Sequence, residues 1–151
     1  MWAQDSPSSG DIHVCVGKEW YRFPSRFFLP SEKVHLSFLR SGFRGLLPKE
    51  FSPHENATSI MPQGFNDMNR EEMDRYVSLD QCDYIVDFDF EGQHEDRYTR
   101  LHDFQVIFKA PFLNADRSSR FLTRAFFLGE NSMRRYNTYD DYVLLRRVKK
   151  V

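Results

Sequence analysis

The sequence has few cysteines, little net charge and no long apolar run, and each shortage excludes a class of protein. Two cysteines among 151 residues are too few for a disulfide framework, and they lack the close pairing of zinc sites. Lysine and arginine number 21 against 22 aspartates and glutamates, so no basic field favours a nucleic-acid partner. The longest apolar stretches, such as residues 126–128, are far shorter than the roughly 18 residues of a membrane-spanning helix.

Common catalytic signatures are also missing from the sequence. It contains no G-x-S-x-G, no phosphate-binding G-x-x-x-x-G-K-[ST] and no dinucleotide-binding G-x-G-x-x-G pattern. The five histidines include no pair at helical i, i+4 spacing, so the metal-hydrolase signature H-E-x-x-H is absent. The first seven residues have neither a basic start nor an apolar run, so they do not read as a secretory signal. We assign no catalytic residue, no metal and no cofactor.

The sequence does have enough large apolar side chains to form a core. Hydrophobic residues make up 40% of the chain, and 15 of the residues are phenylalanine. Residues 1–11 are polar and rich in serine, proline and glycine, which is typical of a flexible leader. We expect a single domain over residues 12–151.

Strand and helix patterns alternate without a regular βαβ repeat. Alternating apolar residues predict strands, helical spacing predicts two short helices, and the proline-containing stretch 45–64 reads as a long loop. These patterns favour an α+β fold with a small mixed β-sheet of about four to five strands and two or three short helices. The predicted strands are 12–16, 34–39, 82–90, 104 to Pro111, and 142–145; the predicted helices are 70–77 and 117–128, with a helical turn at 26–29. A strand over 117–128 is the alternative.

The strand over residues 82–90 carries a candidate metal motif. Its pattern places Val86 and Phe88 on a core face, and Asp87 and Asp89 on a mostly solvated face. Asp87-Phe88-Asp89 resembles the Asp-x-Asp with which nucleotide-sugar transferases hold a divalent metal. Because such pairs also occur as ordinary solvated acids, we predict no metal here.

Three further features are candidates for a functional or modified site. An aromatic and charged cluster at residues 18–22 could stack on a sugar ring, or its long side chains could cover the core. Asn56-Ala57-Thr58 satisfies the N-glycosylation rule within the predicted loop. Cys15 and Cys82 fit either buried free thiols or one disulfide. The aromatic and charged cluster consists of Lys18, Glu19, Trp20, Tyr21 and Arg22.

Several segments of the chain closely resemble one family of enzymes. The longest is Val14-Cys15-Val16-Gly17-Lys18-Glu19-Trp20-Tyr21-Arg22-Phe23-Pro24-Ser25, and others lie at residues 41–48, 82–87 and 111–120. They resemble the C-terminal luminal region of the endoplasmic-reticulum α-1,2-mannosyltransferases of the asparagine-linked glycosylation group, in glycosyltransferase family 22. The resemblance covers residues 13 to 148.

The resemblance implies a function for a larger protein. It implies a luminal C-terminal domain of a membrane enzyme that transfers mannose from dolichyl-phosphate mannose to the lipid-linked oligosaccharide during N-glycan precursor assembly. The family's acidic catalytic residues lie in luminal loops of the upstream membrane portion, which this chain lacks, so the chain alone is expected to be inactive. The expected partners are that transmembrane catalytic part and, beyond it, the lipid-linked oligosaccharide.

The implied location changes two of the open choices. An oxidising lumen favours a disulfide between Cys15 and Cys82, and it makes Asn56 a plausible glycan acceptor. A lipid-phosphate donor leaves no nucleotide diphosphate for a metal at Asp87 and Asp89 to bridge. The alternative function is a non-catalytic, soluble glycan- or protein-binding module that works without a membrane partner in the same chain.

Overall fold

A computed structural model describes residues 10–18, 26–42, 44–90, 97–119 and 121–148. The chain divides into two compact units, Met1–Cys82 and Asp83–Val151. Most of the expected leader, residues 1–9, lies outside the described part. The single domain over residues 12–151 stays a prediction.

The first unit is built on two parallel strands, β1 (Ile12–Val16) and β2 (Val34–Phe38). Their register runs from Ile12 opposite Val34 to Val16 opposite Phe38. The structure confirms both predicted strands. They form here because β-branched and alternating apolar residues suit a pleated surface. The turn predicted at 26–29 is also present, as a 3₁₀ turn over Arg26–Phe28.

A small apolar cluster holds the loops of the first unit to these strands. Val16, Phe38 and Leu47 are each less than 8% exposed and pack together, with Leu36 and Tyr76 against them. The amide of Val77 donates to the carbonyl oxygen of Phe38 over 2.9 Å, which ties the later loop to β2. The loop over 45–64 has no helix or strand apart from a 3₁₀ turn at Ala57–Ser59.

The helix predicted over residues 70–77 is wrong. Only a 3₁₀ turn forms there, over Met73–Arg75. The side-chain oxygen of Asn66 accepts the amide protons of Met68 and Arg70, so the local backbone bonds to a side chain where a helix would start. Tyr76 then turns extended and forms a parallel bridge with Phe38. Tertiary pairing therefore overrides the helical spacing.

The second unit is a three-stranded antiparallel arrangement in the order β3-β5-β4. The strands are β3 (Tyr84–Asp89), β4 (Phe104–Asn114) and β5 (Thr138–Arg147). All three predicted strands are present, but the end predicted at Pro111 is wrong because β4 continues to Asn114. Within this unit β4 pairs only with β5, and proline, which lacks an amide proton, is tolerated on such an edge.

The mostly solvated face predicted for β3 is also wrong. Ile85 is fully buried and Asp87 is only 3% exposed. Their cross-strand partners on β5, Leu145 and Val143, are buried too, so apolar neighbours cover this face. The other face carries Phe88, which is 2% exposed. Alternation alone could not show that both faces of β3 are buried.

The helix predicted over 117–128 is shorter, and a second one follows it. The helices are α1 (Phe121–Ala125) and α2 (Glu130–Tyr136). Gly129 has a φ of +87°, a conformation that favours glycine, and it caps the start of α2 rather than closing one long helix. With five strands of mixed direction and these two short helices, the expected α+β class with a mixed sheet is confirmed. None of the helices in the described part of the chain has the length and apolar content that spanning a bilayer requires.

Candidate functional site

Most of the predicted aromatic and charged cluster lies outside the described residues. Lys18 follows β1 and is partly exposed, whereas Glu19, Trp20, Tyr21 and Arg22 fall in the range 19–25 that the structure does not describe. Their role in sugar binding therefore stays a prediction.

The structure brings Cys15 and Cys82 together as a disulfide within the first unit. Cys15 lies in β1, and Cys82 follows the 3₁₀ turn Leu79–Gln81; both are 0% exposed. Their Cα atoms are 5.7 Å apart, within the usual range for such a bond. The bond spans 67 positions of sequence, so it closes most of the first unit into a covalent loop. Such bonds are typical of oxidising compartments.

The predicted glycosylation site is accessible. Asn56 and Thr58 are both exposed, and Asn56 immediately precedes the 3₁₀ turn Ala57–Ser59. The Asn56 carbonyl accepts the Ser59 amide proton over 2.9 Å, which fixes the local backbone. The Asn56 side chain makes no capping hydrogen bond to this turn. An exposed loop is the setting that a glycosylation acceptor requires.

A groove of about 200 Å³ lies beside β2 in the first unit, and we call it the polar groove. It mixes cationic, anionic and neutral polar side chains, so it offers both hydrogen-bond donors and acceptors. Pockets with a few convergent polar groups are the usual setting for small-ligand recognition. The polar side chains that line it are His13, His35, Ser37, Lys49, Glu50, Asp74 and Arg75.

The two histidines of the polar groove come from neighbouring strands. His13 on β1 lies opposite His35 on β2, and their rings stack with centroids 5.4 Å apart. Nδ1 of His13 is 3.2 Å from the Ser37 hydroxyl oxygen, and Nδ1 of His35 is 3.2 Å from Glu50 Oε1. Strand register therefore creates this pair, which explains why sequence spacing could not reveal it.

Asp74 connects two cations in the polar groove. Its carboxylate accepts hydrogen bonds from Lys49 Nζ at 2.7 Å and from Arg75 Nη1 at 3.1 Å. The Lys49 hydrogen bond lowers the pKa of the Asp74 carboxyl; burial opposes this shift and the Arg75 charge reinforces it. Asp74 therefore stays an anion, and an acceptor, at neutral pH.

Arg75 is the most unusual side chain of the polar groove. Its side chain is only 2% exposed, and Nη2 donates to the Gln63 carbonyl over 2.9 Å. Its Nε is buried and has no hydrogen-bond acceptor within the described part of the chain. A buried donor without a partner is costly to the folded state.

A second polar network lies in the same unit, around Glu71. Its carboxylate oxygen accepts from the Tyr76 hydroxyl at 3.0 Å and from Arg40 Nε at 3.4 Å, and Arg44 Nη1 lies 3.5 Å away. Burial acts to raise the pKa of Glu71, but the hydrogen bonds from Tyr76 and Arg40 outweigh it and lower the pKa. This network ties the segment after β2 to residues 71–76.

The acidic pair on β3 is not arranged as a cation site. Both oxygens of Asp89 are engaged, one by Arg97 Nε and the other by the Thr99 hydroxyl at 3.0 Å. Burial works against ionisation of Asp89, but the Arg97 and Thr99 hydrogen bonds hold its pKa below the usual value. Across the residues that the structure describes, no group of three or more histidine, cysteine, aspartate or glutamate side chains could hold a metal ion.

Sequence comparison relates the chain to one set of named enzymes. It is 43% identical over 143 residues to "Alpha-1,2-mannosyltransferase ALG9" of Mus musculus, covering 93% of this chain and 23% of that protein. It is 41% identical over 145 residues to Alg9 of Drosophila melanogaster (91% and 22%) and 31% identical over 147 residues to ALG9 of Arabidopsis thaliana (97% and 25%). The chain thus spans about a quarter of the length of these relatives. No family model matches the chain, and no solved structure matches it.

Proposed function

The chain belongs to the ALG9 family of alpha-1,2-mannosyltransferases as a segment of 22–25% of a member's length, and we propose that it is a luminal domain of such an enzyme. The observation that carries the proposal is the similarity itself, which extends over 91–97% of the chain in animal and plant relatives. The resemblance found from the sequence is thereby confirmed. The proposed reaction of the whole enzyme is mannose transfer from dolichyl-phosphate mannose to the lipid-linked oligosaccharide.

Two features of the first unit support a position in the endoplasmic-reticulum lumen. The Cys15–Cys82 disulfide suits an oxidising compartment rather than the reducing cytosol. The exposed Asn56 sequon suits exposure to the glycosylation machinery. Both features are compatible with a domain that is held at the membrane by the rest of the enzyme.

The proposed role of the domain is to support the membrane-embedded catalytic part. Several large apolar side chains of the first unit are more than half exposed, so they are available for burial against another part of the enzyme. Because the relatives are about four times longer than this chain, the remaining polypeptide is available to cover them. The residues are Phe27, Phe28, Phe51, Met61, Phe65, Met68 and Met73.

The polar groove is the proposed contact for the oligosaccharide. Sugar hydroxyls both donate and accept hydrogen bonds, so they match a groove that holds the Asp74 carboxylate beside the Lys49 ammonium. The chain's contribution is thus binding and positioning, while bond formation takes place in the catalytic part.

A chimeric enzyme tests this function. The chimera is the Drosophila relative in which the segment that matches this chain is replaced by this chain. It is expressed in Drosophila cells that lack their own copy of that relative. The lipid-linked oligosaccharides of these cells are then sized by chromatography. We expect the chimera to restore the mannosylated oligosaccharides. This chain expressed alone should not restore them, and neither should the relative without the segment, because support and catalysis lie in separate parts of the enzyme. Restored mannosylation by the chain alone would contradict its inactivity, and full activity without the segment would contradict its supporting role.

The luminal position has a separate test at Asn56. When the chimera is expressed in the same cells, digestion with an endoglycosidase should reduce its apparent mass by one glycan more than it does for the Asn56→Gln variant. The reason is that only luminal, exposed sequons meet the oligosaccharyl transfer machinery. Thr58→Ser is the matched control, because it preserves the sequon and should keep the glycan. Identical mobility of the parent and Asn56→Gln proteins before digestion would count against the assignment.

The alternative function is a non-catalytic binding module. The polar groove favours it as well, since it requires only a ligand and no membrane partner. The chimera separates the two functions. A binding module predicts that the chimera fails to restore mannosylation, while the chain alone binds a mannose oligosaccharide in calorimetry.

A further inference from the structure

Helix α1 of the second unit reverses the usual burial pattern of a surface helix, in which apolar side chains are buried and polar side chains are exposed. Its one buried side chain is the polar Thr123, at 2% exposure, while its large apolar side chains face outward. The same outward apolar character continues through the connection to α2. We call this surface the apolar ledge; it consists of Phe121 (68% exposed), Leu122 (59%), Phe126 (60%), Phe127 (75%) and Leu128 (51%).

Buried polar contacts hold the apolar ledge in place. Thr123 Oγ1 donates to Asn137 Oδ1 over 2.8 Å, and Asn137 Nδ2 donates back to the Thr123 carbonyl over 2.8 Å. Arg124 Nη1 donates to the Ala115 carbonyl over 2.8 Å. Because these polar groups are anchored inward, α1 presents Phe121 and Leu122 outward, and the connection that follows it presents the other three apolar side chains. Such an arrangement fits a surface that is buried against another phase or molecule.

The charges around the apolar ledge are mostly of one sign. Residues 121–136 contain Arg124, Arg134 and Arg135 against the single acid Glu130, whereas the whole chain has a net charge of −1. Arg134 and Glu130 have side chains that are 82% and 77% exposed and lie 3.8 Å apart. Phenylalanine and leucine beside arginine are the composition of segments that lie in the headgroup region of a bilayer, with apolar side chains in the acyl boundary and cations at the phosphates.

From these observations we propose that the apolar ledge binds the surface of an anionic phospholipid bilayer. Phe126 and Phe127, which directly follow α1, insert below the headgroups, and Arg134 and Arg135 contact lipid phosphates. The proposal does not depend on mannose transfer, because it concerns the ledge of the second unit alone. It gives the chain a membrane contact without a spanning helix.

Vesicle co-sedimentation of the full, oxidised chain tests the proposal. The probes are vesicles of phosphatidylcholine and vesicles with about one third phosphatidylglycerol added. We expect the chain to bind the anionic vesicles, and the double variant Phe126→Ser with Phe127→Ser to bind at least ~10-fold more weakly, because two inserted rings are lost. The variant Arg134→Gln with Arg135→Gln should lose the preference for anionic vesicles. Unchanged melting temperatures show that these exposed substitutions leave the fold intact.

The matched control is Ile107→Ser with Phe108→Ser, which removes two adjacent apolar side chains that are 43% and 59% exposed on β4, outside the ledge. It should bind the anionic vesicles as the parent chain does. The proposal is overturned if the parent chain binds neither vesicle, or if the control loses as much binding as the ledge variant. It is also overturned if the ledge binds a second copy of this chain. In that case light scattering shows a dimer, the ledge variant is a monomer, and the parent chain binds no vesicles.

Discussion

Replacing both cysteines with alanine is expected to lower the free energy of unfolding by about 4 kcal/mol, since the bond closes a loop of 67 positions and thereby restricts the unfolded chain. Alanine is chosen for Cys15 and Cys82 because both sites are 0% exposed, and a serine hydroxyl there would add an unpaired polar group. Urea unfolding of the oxidised parent chain and of the variant measures the difference.

Reductant supplies the control for this prediction. Dithiothreitol should move the parent chain's midpoint to that of the Cys15→Ala, Cys82→Ala variant and leave the variant unchanged. A variant as stable as the oxidised parent would show that the disulfide does not stabilise the chain. Mass spectrometry of unreduced protein checks the starting state, because two free thiols would contradict the bond itself.

Phe88→Ala is expected to destabilise the second unit by about 4 kcal/mol, because it leaves a cavity in an aromatic cluster. Phe88 is 2% exposed, and its ring centroid lies 4.5 Å from that of Phe112, 5.1 Å from Tyr142 and 5.0 Å from Phe90. Truncation removes contacts with all three rings, and because the backbones of Phe112 and Tyr142 belong to the paired strands β4 and β5, we expect the cavity to persist. Thermal unfolding followed by near-ultraviolet circular dichroism measures the loss.

Phe108→Ala is the matched control, because it removes the same ring from β4 at a position that is 59% exposed. Its cost should stay within about 1 kcal/mol, since little apolar surface there is withdrawn from water. Equal losses for the two variants would show that the aromatic cluster is not a core of the second unit.

The sequence predicted the strands better than the helices, for a physical reason. A strand's alternation is local, so Ile12–Val16 and Val34–Phe38 could be recognised from their own residues. The helix at 70–77 failed because an Asn66 side chain and a bridge to Phe38 captured the backbone, and neither contact is visible in helical spacing. Strand β4 continues beyond Pro111 because β4 is an edge strand, where proline is tolerated. That edge position follows from the order of strands in the sheet, which the local sequence does not show.

The candidate site was predictable only in part. The pairing of Cys15 with Cys82 followed from a family resemblance, because the residues alone left free thiols equally open. The stacked histidines depend on the register of β1 with β2, and the burial of Arg75 depends on loops that carry no periodic signal. The stripe at 121–128 was read as a long helix, but the polar Thr123 is the side chain that turns inward.

The position of the disulfide affects what a protease can release from the chain. The loop over 45–64 lies between the two cysteines and has no regular structure apart from one short turn. A single cut within that loop leaves both pieces covalently joined, so the nicked protein migrates as one band until a thiol reagent is added. Gels run with and without that reagent therefore reveal cleavage that purification alone would miss.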